Sequence, residues 1–477
     1  MTPVSRRSFL RTVGAGAGLL VLGACSAPAS GPPVTEVALG AGEVGIDLAG
    51  TLATTWGYNG TVPGPELRVR AGDVLRARLR NALPEPTTIH WHGISLVNAM
   101  DGTPGLTQAP VDPGAAFDYE FRVPEAGTHW YHAHSGHQLD RGMYGALIVE
   151  PRTEELAYDR EHTLLLDDWR DGLDAPGDDG EHAAHGGVGL GGGVGLGGGP
   201  GTAPGTGAVA DPGPDRVSFG GRSYPLMLVN ARPPADPAVF EVRRGDRVRL
   251  RVVNAAADTG FRFAIAGHRL TVTHSDGMPV RPVTVDALRI GMGERYDVLV
   301  DAGAPGAWQI GVLPEGKTGF GRAVLRYADA PATPAPPADA RPTELDGRLL
   351  TYDDLVGTGP AEVPPTGGPD RTFALTLRGT DIDVDGLGPD EPLPVSPGEW
   401  VRVAVRNESA NFHPVHLHGH HFQLATPGRA LKDTAVVAAR GGELTFDWRA
   451  DNPGEWMIHC HNHYHMEDGM MRTISYR

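Results

Sequence analysis

Cysteine is nearly missing from this 477-residue chain: only Cys25 and Cys460 occur. A small fold stapled by several disulfides is therefore excluded. Aromatic residues are scarce at 6%, and basic residues are outnumbered, 41 Lys and Arg against 58 Asp and Glu, for a formal charge of −17. Nucleic-acid binding needs a basic patch, so this balance argues against it. The acid excess reads as a soluble surface. Long apolar runs are missing as well, and the run near the N-terminus is too short to span a membrane as a mature helix. Glycine (67) and proline (42) are plentiful, which suits strands and loops more than helices, and there are 20 histidines. At this length two or three domains are expected.

The first 25 residues read as an address. "SRRSFLR" (5–11) is a twin-arginine signature, followed by a Gly/Ala/Leu run and "LGAC" (22–25). "LGAC" has the form of a lipobox, in which Cys25 becomes the lipidated first residue; plain cleavage is the alternative. Export by the twin-arginine route to the cell envelope follows, with a lipid anchor on the outer face of the cytoplasmic membrane. If Cys25 carries lipid, Cys460 has no disulfide partner and needs another reason to be there.

One pattern recurs three times: "RAGDVLRARLRN" (70–81), "RRGDRVRLRVVN" (243–254) and "SPGEWVRVAVRN" (396–407). In each, Gly precedes an acid, an alternating strand follows, and Asn ends it. Leu75, Ala77 and Leu79 share one face, as do Val248, Leu250, Val252 and Val401, Val403, Val405, with polar residues on the other. A second shared pattern, strand, Pro/Gly turn, then Trp in a further strand, closes each copy at 117–134, 296–313 and 444–461. Such self-similarity predicts three β-sandwich domains, at 36–152, 156–330 and 340–477. A low-complexity Gly-rich loop (186–207) interrupts the second, with His182 and His185 upstream as a weak candidate for copper capture. A stiff Pro-rich linker (328–342) precedes the third.

Fifteen of the 20 histidines fall in domains one and three. Four pairs have the form His-x-His: His90/His92, His132/His134, His416/His418 and His459/His461. On a strand, residues two apart face the same way, so each pair presents two imidazoles together. Domain two has Phe261/Phe263 and Gly311-Val312-Leu313 at the equivalent places, so the sandwich does not need the histidines to fold. Eight imidazoles divided between domains one and three predict a metal cluster at their interface, with domain two as a spacer or substrate wall. Cys460 points opposite to His459 and His461. With His413, His465 and Met470 it makes a thiolate, two-imidazole, thioether set, which is the blue-copper set. Zinc accepts similar donors but cannot cycle electrons.

The motifs "HWHG", "WYHAH", "HPVHLHGHHF" and "HCHNHYHMEDGM" resemble the three-domain multicopper oxidase family over essentially the whole chain after the signal. The resemblance implies an all-β fold of three cupredoxin-like Greek-key domains and four copper ions. It implies type 1 copper at His413, Cys460 and His465 with Met470 axial, and type 2 copper at His90 and His416. A type 3 pair would be held by His92, His132, His134, His418, His459 and His461. The implied activity is that of an oxidoreductase, taking single electrons at the edge of His465 or His413 and reducing O2 to water. Asp101 in "NAMDG" matches a carboxylate near the cluster and is the expected proton relay. Some relatives carry Glu just before the second type 1 histidine, where this chain has Tyr464. His129, His137, His420, His421 and His463 are surplus to the ligand count.

The export signal, "MDG" and "GHRLTVTHSDGMPVRP" (267–282) resemble copper-resistance oxidases, so Cu(I) is the expected reductant. Met466, Glu467, Asp468 and Met471 beside Met470 are candidate contacts for it. A laccase acting on phenols or aromatic amines is the alternative, and a non-catalytic copper-binding envelope protein a third reading. A monomer is expected.

Overall fold

The structure, a computed structural model, describes residues 31–170, 224–358 and 368–477. The export signal with Cys25, and the Gly-rich loop with His182 and His185, lie outside the described residues. Six sheets pair into three consecutive two-sheet units, and the topology repeats. Each sheet holds one parallel strand pair, and its remaining pairs are antiparallel. No helix among the described residues is long and apolar enough to cross a membrane.

The recurring sequence pattern forms the equivalent strands Val74–Asn81, Arg247–Asn254 and Trp400–Asn407. Gly72, Gly245 and Gly398 open them at φ of 85°, 89° and 89°, a turn geometry that favours glycine. The Asn that ends each copy is buried and ties down the loop that follows. Asn81 donates to the carbonyls of Glu85 and Val111, Asn254 to those of Thr259 and Ile290, and Asn407 to those of Asn411 and Ala438. Each also accepts the amide two residues on, from Leu83, Ala256 or Ser409. The apolar faces go to the core as the alternation predicts.

The second copy departs from the expectation of a polar, outward face. Arg249 and Arg251 are only 3% and 2% exposed. Both bind the buried Asp297, and they also reach Thr128 of domain one, Glu154 in the connection between the domains and Glu161 on the neighbouring strand of domain two. The polar face of this strand is a domain interface, and paired charges make its burial tolerable. The Pro-rich segment lies along domain two, where Arg322 and Arg326 donate to the carbonyls of Pro336 and Thr333.

Candidate metal centre

Two adjacent strands in each outer domain present the paired histidines. In domain one, Ile89–His92 lies beside Gly127–Ala133 with His90 opposite His132. In domain three, His413–Leu417 lies beside Glu455–Cys460 with His416 opposite His459. Period two then puts the four histidine pairs on two facing surfaces, and the domains press these together. The rings of His90 and His418 stack at 3.9 Å and those of His92 and His416 at 3.8 Å. His461 packs 4.9 Å from His92 and 5.4 Å from His132. All eight are buried.

Oxygen acceptors behind most of the rings decide which nitrogen faces inward. Nδ1 of His90, His132, His416 and His459 donates to the carbonyls of Asp101, Ala133, Asp433 and Cys460 at 2.9, 2.9, 2.8 and 2.9 Å. Nδ1 of His418 donates to Asp101 Oδ2 at 2.9 Å. His92 is turned the other way, with Nε2 on Asp433 Oδ1 at 3.0 Å. The nitrogens left over converge. His90 Nε2 lies 3.4 Å from His416 Nε2, and His418 Nε2 lies 3.0 Å from His459 Nε2. His92 Nδ1, His132 Nε2, His134 Nε2 and both nitrogens of His461 have no hydrogen-bond partner. Burial and mutual repulsion push His92, His132, His134, His416 and His459 well below the usual histidine range, and His461 to about 3. Neutral rings with opposed lone pairs, six of the eight fixed from behind, form a donor set that a cation completes. Three of the residue groups with ligand atoms within 4.8 Å of one another are His90/His92/His132, His90/His416/His418 and His134/His418/His459.

Across the same strand, Cys460 enters a second, smaller site. Its Sγ lies 3.4 Å from His413 Nδ1 and 3.7 Å from His465 Nδ1, and those nitrogens are 3.2 Å apart. Burial pushes the thiol up, so a thiolate here needs a cation beside it. Two soft or borderline nitrogens and one sulfur suit copper. Met470 is buried nearby, strapped by its amide to His465 O and by its carbonyl to the Cys460 amide. His465 rides on the short helix His463–Glu467, whose N-cap Asn462 accepts the amides of Tyr464 and His465. Asn462 in turn donates to Asp258 of domain two.

The two histidines at this site differ at their outer edges. His413 is wholly buried, and its Nε2 donates to Ser409 Oγ at 2.6 Å. His465 is 5% exposed. Of the two entry points expected from sequence, only His465 keeps an accessible edge, and His413 is sealed.

Asp101 is buried under the cluster, accepting from Thr103 Oγ1 at 2.6 Å as well as from His418. Glycine follows it because a Cβ on Gly102, at φ 88°, would run into the Ile89 carbonyl. Tyr464 does not leave its position without an acid: its hydroxyl donates to Asp140. Burial and nearby Asp168 push that carboxyl up to about 7.

Sequence reasoning missed Asp433 and Arg295. Asp433 is buried and serves His92 with its carboxylate and His416 with its carbonyl. Arg295 of domain two grips it through Nη1–Oδ1 at 2.6 Å and Nη2–Oδ2 at 2.7 Å, and donates to the Thr128 carbonyl of domain one. A Cβ on Gly293 would lie 2.9 Å from the His461 ring. Domain two is therefore part of the cluster's wall, not only a spacer. No motif marks "GERYD" (293–297) or "KDT" (432–434), and the alternation of "RYDVLVD" (295–301) puts Arg295 with Asp297 and Asp301 opposite Tyr296, Val298 and Val300, a polar face that gives no signal of burial.

The depressed histidines set a pH dependence. His413 and His461 sit near 3 when folded, because burial disfavours their charged forms, against about 6.5 in an unfolded chain. Below 6.5 the unfolded chain binds protons that the folded one refuses, so folding stability is full above that pH and falls as pH drops towards 3. Copper-free protein is expected to lose on the order of several kcal/mol between pH 7.5 and 4.5. Urea unfolding at the two pH values measures this, and equal stabilities would contradict the burial of neutral imidazoles.

Three segments match multicopper oxidase family models, at residues 42–154, 200–330 and 366–477. The chain is 39% identical over 447 residues to multicopper oxidase MmcO of Mycobacterium tuberculosis, covering 90% of this chain and 85% of that one. It is 29% identical to a copper resistance protein A homolog of Pseudomonas syringae pv. tomato, covering 99% of both. Among solved structures, a multi-copper oxidase from Pseudomonas thermotolerans is 28% identical with a TM-score of 0.69, covering 94% of this chain and all of that one.

Proposed function

The chain belongs to the multicopper oxidase family, and from that premise we propose that it oxidises Cu(I) at the expense of O2 in the defence of the cell envelope against copper. It is a copper-dependent oxidoreductase. The finer assignment is four copper ions: type 1 at His413, Cys460 and His465 with Met470 axial, type 2 at His90 and His416, and a type 3 pair at the remaining six histidines. Copper held there supplies one-electron redox chemistry and, over four ions, the storage needed to reduce O2 to water.

The observation that carries this reading is the strand Glu455–Cys460 and the residue after it. The Cys460 thiol serves one site while His459 and His461, its covalent neighbours, serve the other. One stretch of backbone thus joins the place where a reductant arrives to the place where O2 is reduced. His465 is buried but keeps a small accessible edge, 5% of its surface, which His413 lacks. Ser409 closes the His413 edge and keeps that ring oriented, and Asp258 fixes His465 indirectly through Asn462. Asp101 holds His418 and lies 3.3 Å from His90 Nδ1 through its other oxygen, which has no hydrogen bond of its own. That open oxygen supports Asp101 as a proton relay.

Cu(I) is favoured as reductant by what surrounds His465. Asp258 and Asp468 act on its ring electrostatically, Glu467 and Asp468 are exposed beside it, and Met471 is 37% exposed. Carboxylates and thioethers receive a soft cation better than they receive a phenol. The name of the Pseudomonas syringae relative, a copper resistance protein, agrees with that role. Export by the twin-arginine signal and a lipid anchor at Cys25 complete the proposal.

Steady-state O2 consumption by copper-loaded enzyme should show a kcat/KM for Cu(I) at least about tenfold above that for a bulky phenol, about 1.4 kcal/mol of transition-state binding. A preference for the phenol would make the protein a laccase and sink the cuprous-oxidase reading.

A further inference from the structure

A cavity of about 510 Å3 opens between domains one and three, with Met278 of domain two at its side. It lies on the Asp433 side of the histidine cluster, and the Asp101 carboxylate is not among its walls. Ser95 and Glu125 enter it from domain one, and His421 from the loop that follows His418. The Ser95 hydroxyl lies 3.2 Å from His421 Nδ1 and acts on the Glu125 carboxyl, which lines the same cavity. The far side of the same ring points inward: His421 Nε2 is 3.9 Å from Asp433 Oδ2. Asp433 Oδ1 carries the His92 hydrogen bond. Carboxyl, hydroxyl, imidazole and carboxylate thus stand in line from the cavity to the wall of the cluster.

The unused atoms fall along this line. Glu125 Oε2 and His421 Nε2 are buried without a hydrogen-bond partner, and so are both nitrogens of His129, which senses the charges of Arg295, His421 and Asp433. Buried polar atoms left open in this way are met by water where a polar cavity has room, and this cavity has room for a chain of waters.

We propose that this cavity is the proton-uptake route for O2 reduction, in which Glu125 takes protons from solvent and Ser95 and His421 relay them to the Asp433 wall of the histidine cluster. The inference rests on the oxidase reading above. Reducing one O2 to two waters takes four electrons, supplied by four Cu(I), and four protons. In each pass Glu125 gives its proton to Ser95 Oγ, Ser95 gives its own to His421 Nδ1, and His421 gives the proton on Nε2 to a water between it and the Asp433 carboxylate, which passes it to the oxygen being reduced. Water in the cavity then reprotonates Glu125. No group keeps a net charge after the pass, and water exchange returns the His421 proton from Nδ1 to Nε2 before the next one.

The surrounding charges suit the direction of transfer. Glu125 faces His421 and Asp451; burial, then Asp451, raise its pKa against the opposing pull of His421, which brings its exchange closer to neutral pH. His421 faces Glu125, Asp433, His129 and His420. Asp447 on the cavity wall is already paired with Arg402, and Arg449 lines the same wall. Arg295 keeps Asp433 an anion, so a fixed negative charge sits at the inner end of the line and draws the proton inward.

Copper-loaded E125Q and H421Q test this. Both should keep wild-type copper content, visible absorption and melting behaviour, with an unchanged KM for reductant. Their kcat should fall about tenfold or more, with a larger solvent isotope effect. E125D should recover part of the loss, together with the pH dependence that E125Q lacks. Independently of turnover, the infrared difference spectrum between oxidised and reduced enzyme should contain a carboxylic C=O band that is absent from E125Q. Wild-type kcat and isotope effect in both variants, with that band unmoved, would overturn the relay. Wild-type enzyme that consumes no O2 with any reductant would instead overturn the oxidase reading. Should either variant fail to load copper, S95A removes only the central hydroxyl and must give the same drop in kcat.

Discussion

Asp433→Asn is expected to destabilise the copper-free protein by about 3–5 kcal/mol and to leave the loaded protein short of copper at the histidine cluster. The magnitude follows from what the substitution leaves behind. Arg295 is wholly buried, and both of its terminal nitrogens grip the Asp433 carboxylate. An amide in that place keeps an oxygen for one contact and turns an NH2 donor towards another donor. The guanidinium, which cannot deprotonate, is then a buried cation with less compensation. Asp276, 3.7 Å from Arg295 Nη1, offers partial relief and sets the lower end of the range.

The same substitution reaches the metal site. His92 Nε2 loses a charged acceptor, so its Nδ1 is less firmly aimed at the other imidazoles. Arg295→Lys should fail in the same direction, because an ammonium cannot make the two-pronged contact. Urea unfolding of copper-free protein gives the first quantity and copper per chain the second. A loss below about 1 kcal/mol with full copper content would show that the Asp433–Arg295 pair is an incidental contact.

Cys460→Ser should lower O2 consumption with Cu(I) more than about a hundredfold, at least about 2.7 kcal/mol in the barrier, and abolish the strong thiolate-to-copper absorption. The fold should survive. Cys460 is buried in the shared core of domains one and three, and serine is only slightly smaller; an unpaired hydroxyl there costs about 1–3 kcal/mol. Copper should fall by one ion per chain while the eight clustered histidines keep theirs, since none of their side-chain hydrogen bonds uses the thiol. His459 Nδ1 bonds the Cys460 carbonyl, which serine retains. Turnover near wild type would mean that electrons enter the cluster by another way, and the strand Glu455–Cys460 would lose its role as the link.

Much of this site could be read from the chain alone because its information is local. Period two in "VLRARLRN" and in each His-x-His pair states which side chains share a face, whatever the domains do later. The repeated Gly and Asn encode a turn at the start of a strand and a tie at its end, within a few residues. The three units, the four histidine pairs and the opposite directions of Cys460 and its neighbours therefore follow from sequence. Where the pattern failed, a second surface had intervened. Arg249 and Arg251 alternate like solvent-facing residues, yet they are buried because domain one covers them and Asp297 neutralises them.

What the tertiary structure decided is how the outward side of each ligand is held, and from which domain. His92 depends on an aspartate 341 residues away, and that aspartate depends on an arginine 138 residues away. His413 is sealed by Ser409 and His465 is not, and Tyr464 finds its acid in Asp140, 324 residues distant. A buried charge or an oriented imidazole is stable only if its partner arrives from elsewhere at the right distance. That condition is set by the packing of three domains, and no periodicity within one strand carries it.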